Sequence, residues 1–184
     1  MPTVEPLSSS RIRLRRWRDA DRDAFAALNS DPRVMEFFPR LLTRAQSDAM
    51  IDYVEGHFGK HDYGLWAVEV PGVAPFIGFT GLLVPRLTAH FTPCVEVGWR
   101  LAFAYWGSGY ATEAARLALG YGFGTLGLSD VVSYTTVANR RSRAVMERLG
   151  MRRDPAEDFD HPGLPEGHPQ RRHVLYRIGA DSFS

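Results

Sequence analysis

The first clear pattern along the chain is Arg11-Ile12-Arg13-Leu14-Arg15-Arg16-Trp17, where charged and apolar residues alternate. A period of two gives a strand one wet face and one core face. Asp19 then stands where a helix N-cap belongs, and Asp21-Arg22-Asp23 puts acids into a first helical turn. Ala24, Phe25 and Leu28 make a short apolar stripe at helical spacing, which Asp31-Pro32 ends. Residues 34–39 read as an apolar loop or short helix. Thr43-Arg44-Ala45-Gln46 has the spacing of a capping box. It predicts a helix over about 44–58, with Ala45, Met50, Ile51, Val54 and Phe58 inward and Gly59 as the stop.

Three apolar, β-branched or aromatic runs follow at 64–70, 76–84 and 95–101, with Pro71-Gly72 as a turn between the first two. Their hairpin spacing predicts an antiparallel meander. A glycine turn then leads into a helix whose inner face is small: Ala111, Ala114, Ala115, Ala118, Tyr121 and Gly122. Residues 124–127 stop it. The strand at 131–137 comes after a strand and a helix, so it is predicted to lie parallel to the 95–101 strand across a right-handed crossover. Asn139 opens a last helix with Ala144, Val145, Met146 and Leu149 inside and Gly150 as the stop. Residues 151–155 are a short strand or exit. Pro162-Gly163, Pro165, Gly167 and Pro169 make 158–171 a loop, and 173–178 is the final strand. The expectation is one α+β domain over 1–184. It has a mixed, mostly antiparallel sheet of about six to seven strands and about four helices.

Composition narrows the function classes. Hydrophobic residues are 45% and charged residues 23% of 184, an ordinary globular balance. The formal net charge is +1, so bulk charge makes no case for nucleic acid or an anionic membrane as partner. Cys94 is the single cysteine, so an intrachain disulfide is excluded. No apolar run reads as a signal peptide or a membrane span, and the expected location is the cytoplasm.

Candidate chemistry concentrates in one stretch. Gly107-Ser108-Gly109-Tyr110-Ala111-Thr112 places two glycines where a helix begins. Glycine permits the tight turn, and a helix start offers unpaired N–H groups and partial positive charge to phosphate. The strand just before it carries one acid, Glu96.

Trp106-Gly107-Ser108-Gly109-Tyr110-Ala111 resembles the six-residue pyrophosphate turn of GNAT acyltransferases, Gln/Arg-x-x-Gly-x-Gly/Ala, with Trp106 departing at the first place. Asn139-Arg140-Arg141-Ser142 and Met146-Glu147-Arg148-Leu149-Gly150-Met151 resemble the family's Asn-x-x-Ser/Ala and Glu-x-Leu-Gly-Phe block. The opening strand with Asp19 to Asp21 is similar to the ribosomal-protein N-terminal acetyltransferase (RimJ/RimL-like) branch. The resemblance spans nearly the whole chain. It implies the GNAT fold, with a V-shaped splay between the Glu96 and Val131 strands. It also implies an acetyl-CoA-dependent N-acetyltransferase that moves acetyl directly to a primary amine in a ternary complex, with no metal. The amine is a protein N-terminus or a small molecule, and a homodimer is left open. Pantetheine is then expected to pair with backbone near Trp99, Arg100 and Leu101, and phosphates to sit on the amides of Gly107, Ser108, Gly109, Tyr110, Ala111 and Thr112.

Amine acetylation needs a proton acceptor for the ammonium, an N–H donor for the developing oxyanion, and a proton for the departing sulfur. Glu96 is the candidate base; its plain alternatives are a surface acid or a salt bridge to Arg100. Tyr134 reads as cleft wall. The family's usual tyrosine acid falls at Met146, which cannot donate a proton. Ser142 is the replacement suggested by the branch, or simply a helix-start serine. Asn139 bonds pantetheine, caps its helix, or does both. Arg140, Arg141 and Arg143 face the 3′-phosphate of CoA or only water. His161, His168 and His173 lack a metal site's spacing. Two rival classes stand beside the enzyme: a non-catalytic acyl-CoA sensor on the same fold, and a Rossmann dinucleotide enzyme. The latter needs its glycine turn after the first strand, and here the turn follows two helices and the 95–101 strand.

Overall fold

A computed structural model describes residues 7–183; the first six residues of the polar opening stretch lie outside them. The element order is β1 (Leu7–Ser8), β2 (Arg13–Arg15), α1 (Arg22–Ser30), α2 (Arg44–His61), β3 (Leu65–Val70), β4 (Ala74–Leu83), β5 (Glu96–Leu101), α3 (Tyr110–Gly124), β6 (Asp130–Thr136), α4 (Arg140–Arg148), β7 (Arg152–Arg153), β8 (Phe159–Asp160) and β9 (Arg172–Gly179). One sheet runs β1-β2-β3-β4-β5-β6-β9-β7, with β8 also on β9. Every neighbouring pair is antiparallel except β5–β6, which is parallel, as the crossover through α3 requires. The architecture is the mixed, mostly antiparallel α+β sheet that the sequence pattern predicts.

Among the described residues, nine strands replace the six or seven expected. The additions are two-residue pieces, Leu7–Ser8 on β2 and Phe159–Asp160 on β9. The proline-rich segment is thus a loop only beyond Asp160. Phe159 and Asp160 take up the free edge of the last strand, because an unpaired edge offers hydrogen bonds to any extended segment nearby.

Two helix boundaries also differ. Asp19 does not cap α1; a short 3-10 turn, Asp19–Asp21, intervenes, with Arg18 at its N-cap. Asp21 is buried instead, held by Arg15. Helix α2 passes through Gly59 to His61 and stops at Asp62, whose φ of 62° breaks the helix. The Thr43 capping box forms as written: Thr43 Oγ1 accepts from Gln46 N at 3.2 Å, and Thr43 N donates to Gln46 Oε1 at 2.9 Å. Ala45 and Ala24, expected inside, are exposed.

The main core lies on both sheet faces. Trp66, on the opposite face of the pleat from Phe79, packs with Phe58 of α2 and Tyr121 of α3, and Phe25 of α1 is buried with Phe76 and Phe79 on one side of the sheet. Ala114, Ala115 and Ala118 bring α3 close to the other. A smaller cluster of Phe91, Val132, Phe159 and Leu175 lies beside Tyr134. These two layers fix β5 and β6 from both sides, and leave the space between their C-terminal halves to be filled by something else.

Candidate functional site

β4 and β5 pair along their whole shared length, from Leu83↔Glu96 to Gly78↔Leu101. β6 and β9 pair from Asp130↔Gly179 to Thr136↔His173. Between β5 and β6 the register holds a single pair, Glu96↔Val132, backed by Val132 N donating to Val95 O at 2.9 Å. Beyond it the two strands part. A groove of about 1360 Å³ opens there, lined by β5, β6, the starts of α3 and α4, and the α1–α2 connection.

The ladder decides which β5 groups face the gap. Ala102 N donates to Ile77 O at 2.8 Å, and Gly98 O accepts from Thr80 Oγ1 at 3.0 Å. Antiparallel bonds alternate, so Gly98 and Arg100 turn their backbone to β4, while Val97, Trp99 and Leu101 turn theirs to the gap. The Leu101 carbonyl already accepts the indole N–H of Trp106 at 2.8 Å. Of the three residues expected to meet pantetheine through backbone, Trp99 is the one with both groups toward the gap and uncommitted. Leu101 keeps its N–H. Arg100 does not fit that role, because its backbone belongs to β4.

The glycine turn holds two left-handed residues, Gly107 at φ 76° and Gly109 at φ 81°. Gly109 is the N-cap of α3, and no side chain caps that helix. Its first N–H groups are therefore free to meet an anion. Gly107, Gly109, Tyr110, Ala111 and Thr112 line the groove; Ser108 does not. The Ser108 carbonyl instead accepts from Arg11 Nη1 at 3.1 Å. Arg11 also bonds Glu113 and lies over the Tyr110 ring at 5.1 Å, and Ser9 donates to Glu113 at 2.5 Å. The N-terminal segment thus braces the turn. Trp106, which stands where the family pattern has Gln or Arg, packs on Phe103 and under the Arg141 guanidinium.

Glu96 lies at the branch point of the two strands. Burial pushes its carboxyl up to about 7, opposed by a hydrogen bond from the Tyr134 hydroxyl. Burial first, and then the Glu96 charge, push the Tyr134 hydroxyl upward, so it stays protonated. Neither Glu96 nor Arg100 acts on the ionisation of the other, so the salt-bridge alternative for Glu96 does not form. Asn139 caps α4: its Oδ1 accepts from Ser142 N at 3.1 Å and its Nδ2 donates to Thr135 Oγ1 at 3.0 Å. Ser142 faces the groove one turn into the same helix. Met146 is core, 1% exposed, and takes no part.

His161 and His173 line the far side. His173 Nδ1 lies 3.0 Å from Arg171 O, and Gly163 N donates to His161 Nδ1 at 3.1 Å. Burial lowers the pKa of both and so favours their neutral form. Of the three arginines near the start of α4, Arg141 is paired with Glu36 and Arg143 donates to Val137 O at 3.1 Å, outside the groove. Arg140 lines the groove. Three contributors were missed from sequence: Tyr134 as partner of Glu96, Arg11 as brace, and the Arg100 side chain. Each makes its contact across tens of residues of chain, where no local pattern reports it.

Comparison with known proteins places this geometry. An acetyltransferase (GNAT) domain model matches residues 11–152. The chain is 32% identical over 146 residues to the uncharacterized protein YkkB of Bacillus subtilis, covering 79% of this chain and 84% of that one. It is 34% identical over 117 residues to an FsC-acetyl coenzyme A-N(2)-transacetylase of Aspergillus fumigatus, covering 55% of this chain and 50% of the other. Its fold superposes on a GNAT-family acetyltransferase of Bacillus anthracis with a TM-score of 0.79, over 96% of this chain and 99% of that chain, at 24% identity.

Proposed function

The chain belongs to the GNAT acetyltransferase family and is an N-acetyltransferase, and from that premise we propose that it transfers acetyl from acetyl-CoA directly to a primary amine, with Glu96 as the proton acceptor. The observation that carries this is the single-pair junction of β5 and β6 with Glu96 at its apex. An extended group fits such a gap by adding itself as a strand, and the Trp99 backbone and the Leu101 N–H are the β5 groups left for it. The uncapped start of α3, with Gly107 and Gly109 left-handed, suits a pyrophosphate. Acetyl-CoA supplies the acyl group as a thioester.

The remaining roles belong to the chain. An amine reaches the groove as an ammonium, and a carboxylate poised near 7 accepts its proton efficiently at neutral pH. Tyr134 holds that carboxylate by its hydroxyl and, staying protonated, does not compete for the proton. Ser142 is the hydroxyl on the α4 side of the groove that supplies a proton to the leaving sulfur. The acceptor, a protein N-terminus or a small amine, enters between the α1–α2 connection and the segment carrying His161.

The test is release of free thiol from acetyl-CoA over a panel of amines. Steady release is expected. Glu96→Gln should lower kcat by about 10²- to 10⁴-fold with acetyl-CoA affinity unchanged. An unchanged kcat removes Glu96 as the base, and binding without release over the whole panel points to an acyl-CoA sensor.

A further inference from the structure

Residues two apart on a strand share a face. Glu96, Gly98 and Arg100 therefore line one side of β5, opposite Leu83, Gly81 and Phe79 of β4. A side chain at Gly98 would touch only the Glu96 carboxylate, at 3.8 Å. Glycine there leaves open space between an acid and a base whose Cα atoms are separated by about 13 Å of strand.

The Arg100 guanidinium is held in place but not neutralised. Its Nη1 donates to Asn29 Oδ1 at 2.6 Å, and Asn29 Nδ2 donates to Ser47 Oγ at 3.1 Å. Asn29 and Ser47 are fully buried, so α1 and α2 together fix the group. Phe38 lies over it at 4.1 Å. Its Nε is sealed from water without a partner. Among the described residues no carboxylate pairs with Arg100, and Nη2 has no protein partner. A partly buried guanidinium without a counter-charge is costly, and an oxyanion is the group whose geometry it matches.

We propose that Arg100 receives an oxyanion carried by the acceptor, so that preferred acceptors place an amine at Glu96 and a carboxylate or phosphate at Arg100, across the space over Gly98. This deepens the acetyltransferase reading and rests on it. The acceptor is then an amino acid, a peptide bearing an acid, or an aminoalkyl phosphate, rather than a simple amine. Burial lowers the Arg100 guanidinium to about 10, so it remains charged at neutral pH and available for that contact.

The test compares kcat/KM for the common amino acids and for ω-amino acids of increasing length with that for the methyl ester of each. A parallel series of aminoalkyl phosphates separates the two anion classes. The acid is expected to exceed its ester by tenfold or more, chiefly through KM. Arg100→Gln should bring that ratio near one, and Arg100→Lys should keep part of it. Asn29→Asp leaves the arginine in place but supplies an internal carboxylate, and it should also abolish the preference. Equal kcat/KM for acid and ester, or a preference that survives both Arg100→Gln and Asn29→Asp, overturns the proposal while acetyl transfer stands. If no amine turns over, the transferase reading is what fails. Titration of benzoate against benzamide into CoA-saturated protein then decides the anion site. Benzoate binding that is lost in Arg100→Gln supports it, and equal or absent binding overturns it.

Discussion

Two arginines pack against this sheet, Arg15 buried and Arg100 partly buried, and the chain treats them in opposite ways. Arg15 in β2 is 5% exposed and uses all five of its donors. Nη1 and Nη2 each reach Asp21 at 2.8 Å, Nε reaches Glu69 at 2.8 Å, and the carbonyls of Arg16 and Pro75 take the rest. Hydrogen bonding to Asp21 dominates and raises its pKa. Arg100 in β5 has one neutral partner, one orphaned nitrogen and a lowered pKa. Its nearest acid along the strand, Glu96, is desolvated and paired only with a tyrosine. A fold selected for stability alone would let those two charges meet. Holding them apart across a glycine is what a site does when its ligand carries the complementary charges.

The Arg15 region is where breaking the structure should cost most. Arg15→Ala strands Asp21, 3% exposed, without a counter-charge, while Glu69 keeps Arg13 and Arg18. Loss of one partner from a buried pair costs about 3–5 kcal/mol. Urea unfolding should show a drop of that size. Activity per folded molecule should change little, because neither Arg15 nor its two acids line the groove. A drop below about 1 kcal/mol would mean that the two regions are energetically alike and the contrast is empty.

Glu96 should behave in the reverse sense. Its folded pKa of about 7 lies above the ordinary 4.5, so the folded chain holds this proton more tightly than the unfolded one. Stability is then unaffected below about 4.5, declines as pH rises toward 7, and is level above it. Glu96→Gln removes the decline. The variant should be more stable than the parent at pH 8, by up to about 3 kcal/mol, and equal to it at pH 4. The parent's kcat/KM should rise with pH through about 7, and that inflection should vanish in the variant. Stability curves that run parallel from pH 4 to 8 would show that the carboxyl is not desolvated.

How far sequence alone reaches follows from where each contact lies along the chain. The alternation at 11–17, the capping box at Thr43 and the glycine turn at 107–109 are local signals, and the elements they predict are present. The β5–β6 gap was legible only through family resemblance, because nothing in either strand's own pattern says where pairing stops. The Asp19 assignment failed because Asp19, Asp21 and Asp23 are equivalent as helix-start acids; Arg15, packed beneath, selects Asp21. Strands of two residues carry no period, so β1 and β8 were invisible. Arg100 meets Asn29 across 71 positions, and Arg11 meets Glu113 across 102. Such pairs belong to the fold, and no segment announces them.

The smallest structural effect should sharpen the comparison most. Gly98 has no left-handed backbone, and a methyl group there meets nothing closer than 3.8 Å. Gly98→Ala should therefore be neutral or stabilise by about 0.4–1 kcal/mol, through the unfolded chain's lost freedom. Nothing in the packing of this strand requires a glycine at 98. If the space over it is where the acceptor lies, the methyl group occupies ligand volume between the amine at Glu96 and the anion at Arg100. KM for the acceptor should then rise several-fold, while KM for acetyl-CoA, proposed above to meet the β6-facing edge of β5, stays put. An unchanged acceptor KM would make the gap between the two charges an accident of composition rather than a binding volume. A raised KM with unchanged stability separates ligand room from folding in a single substitution, which no change at Glu96 or Arg100 can do, since each of those also alters a buried charge.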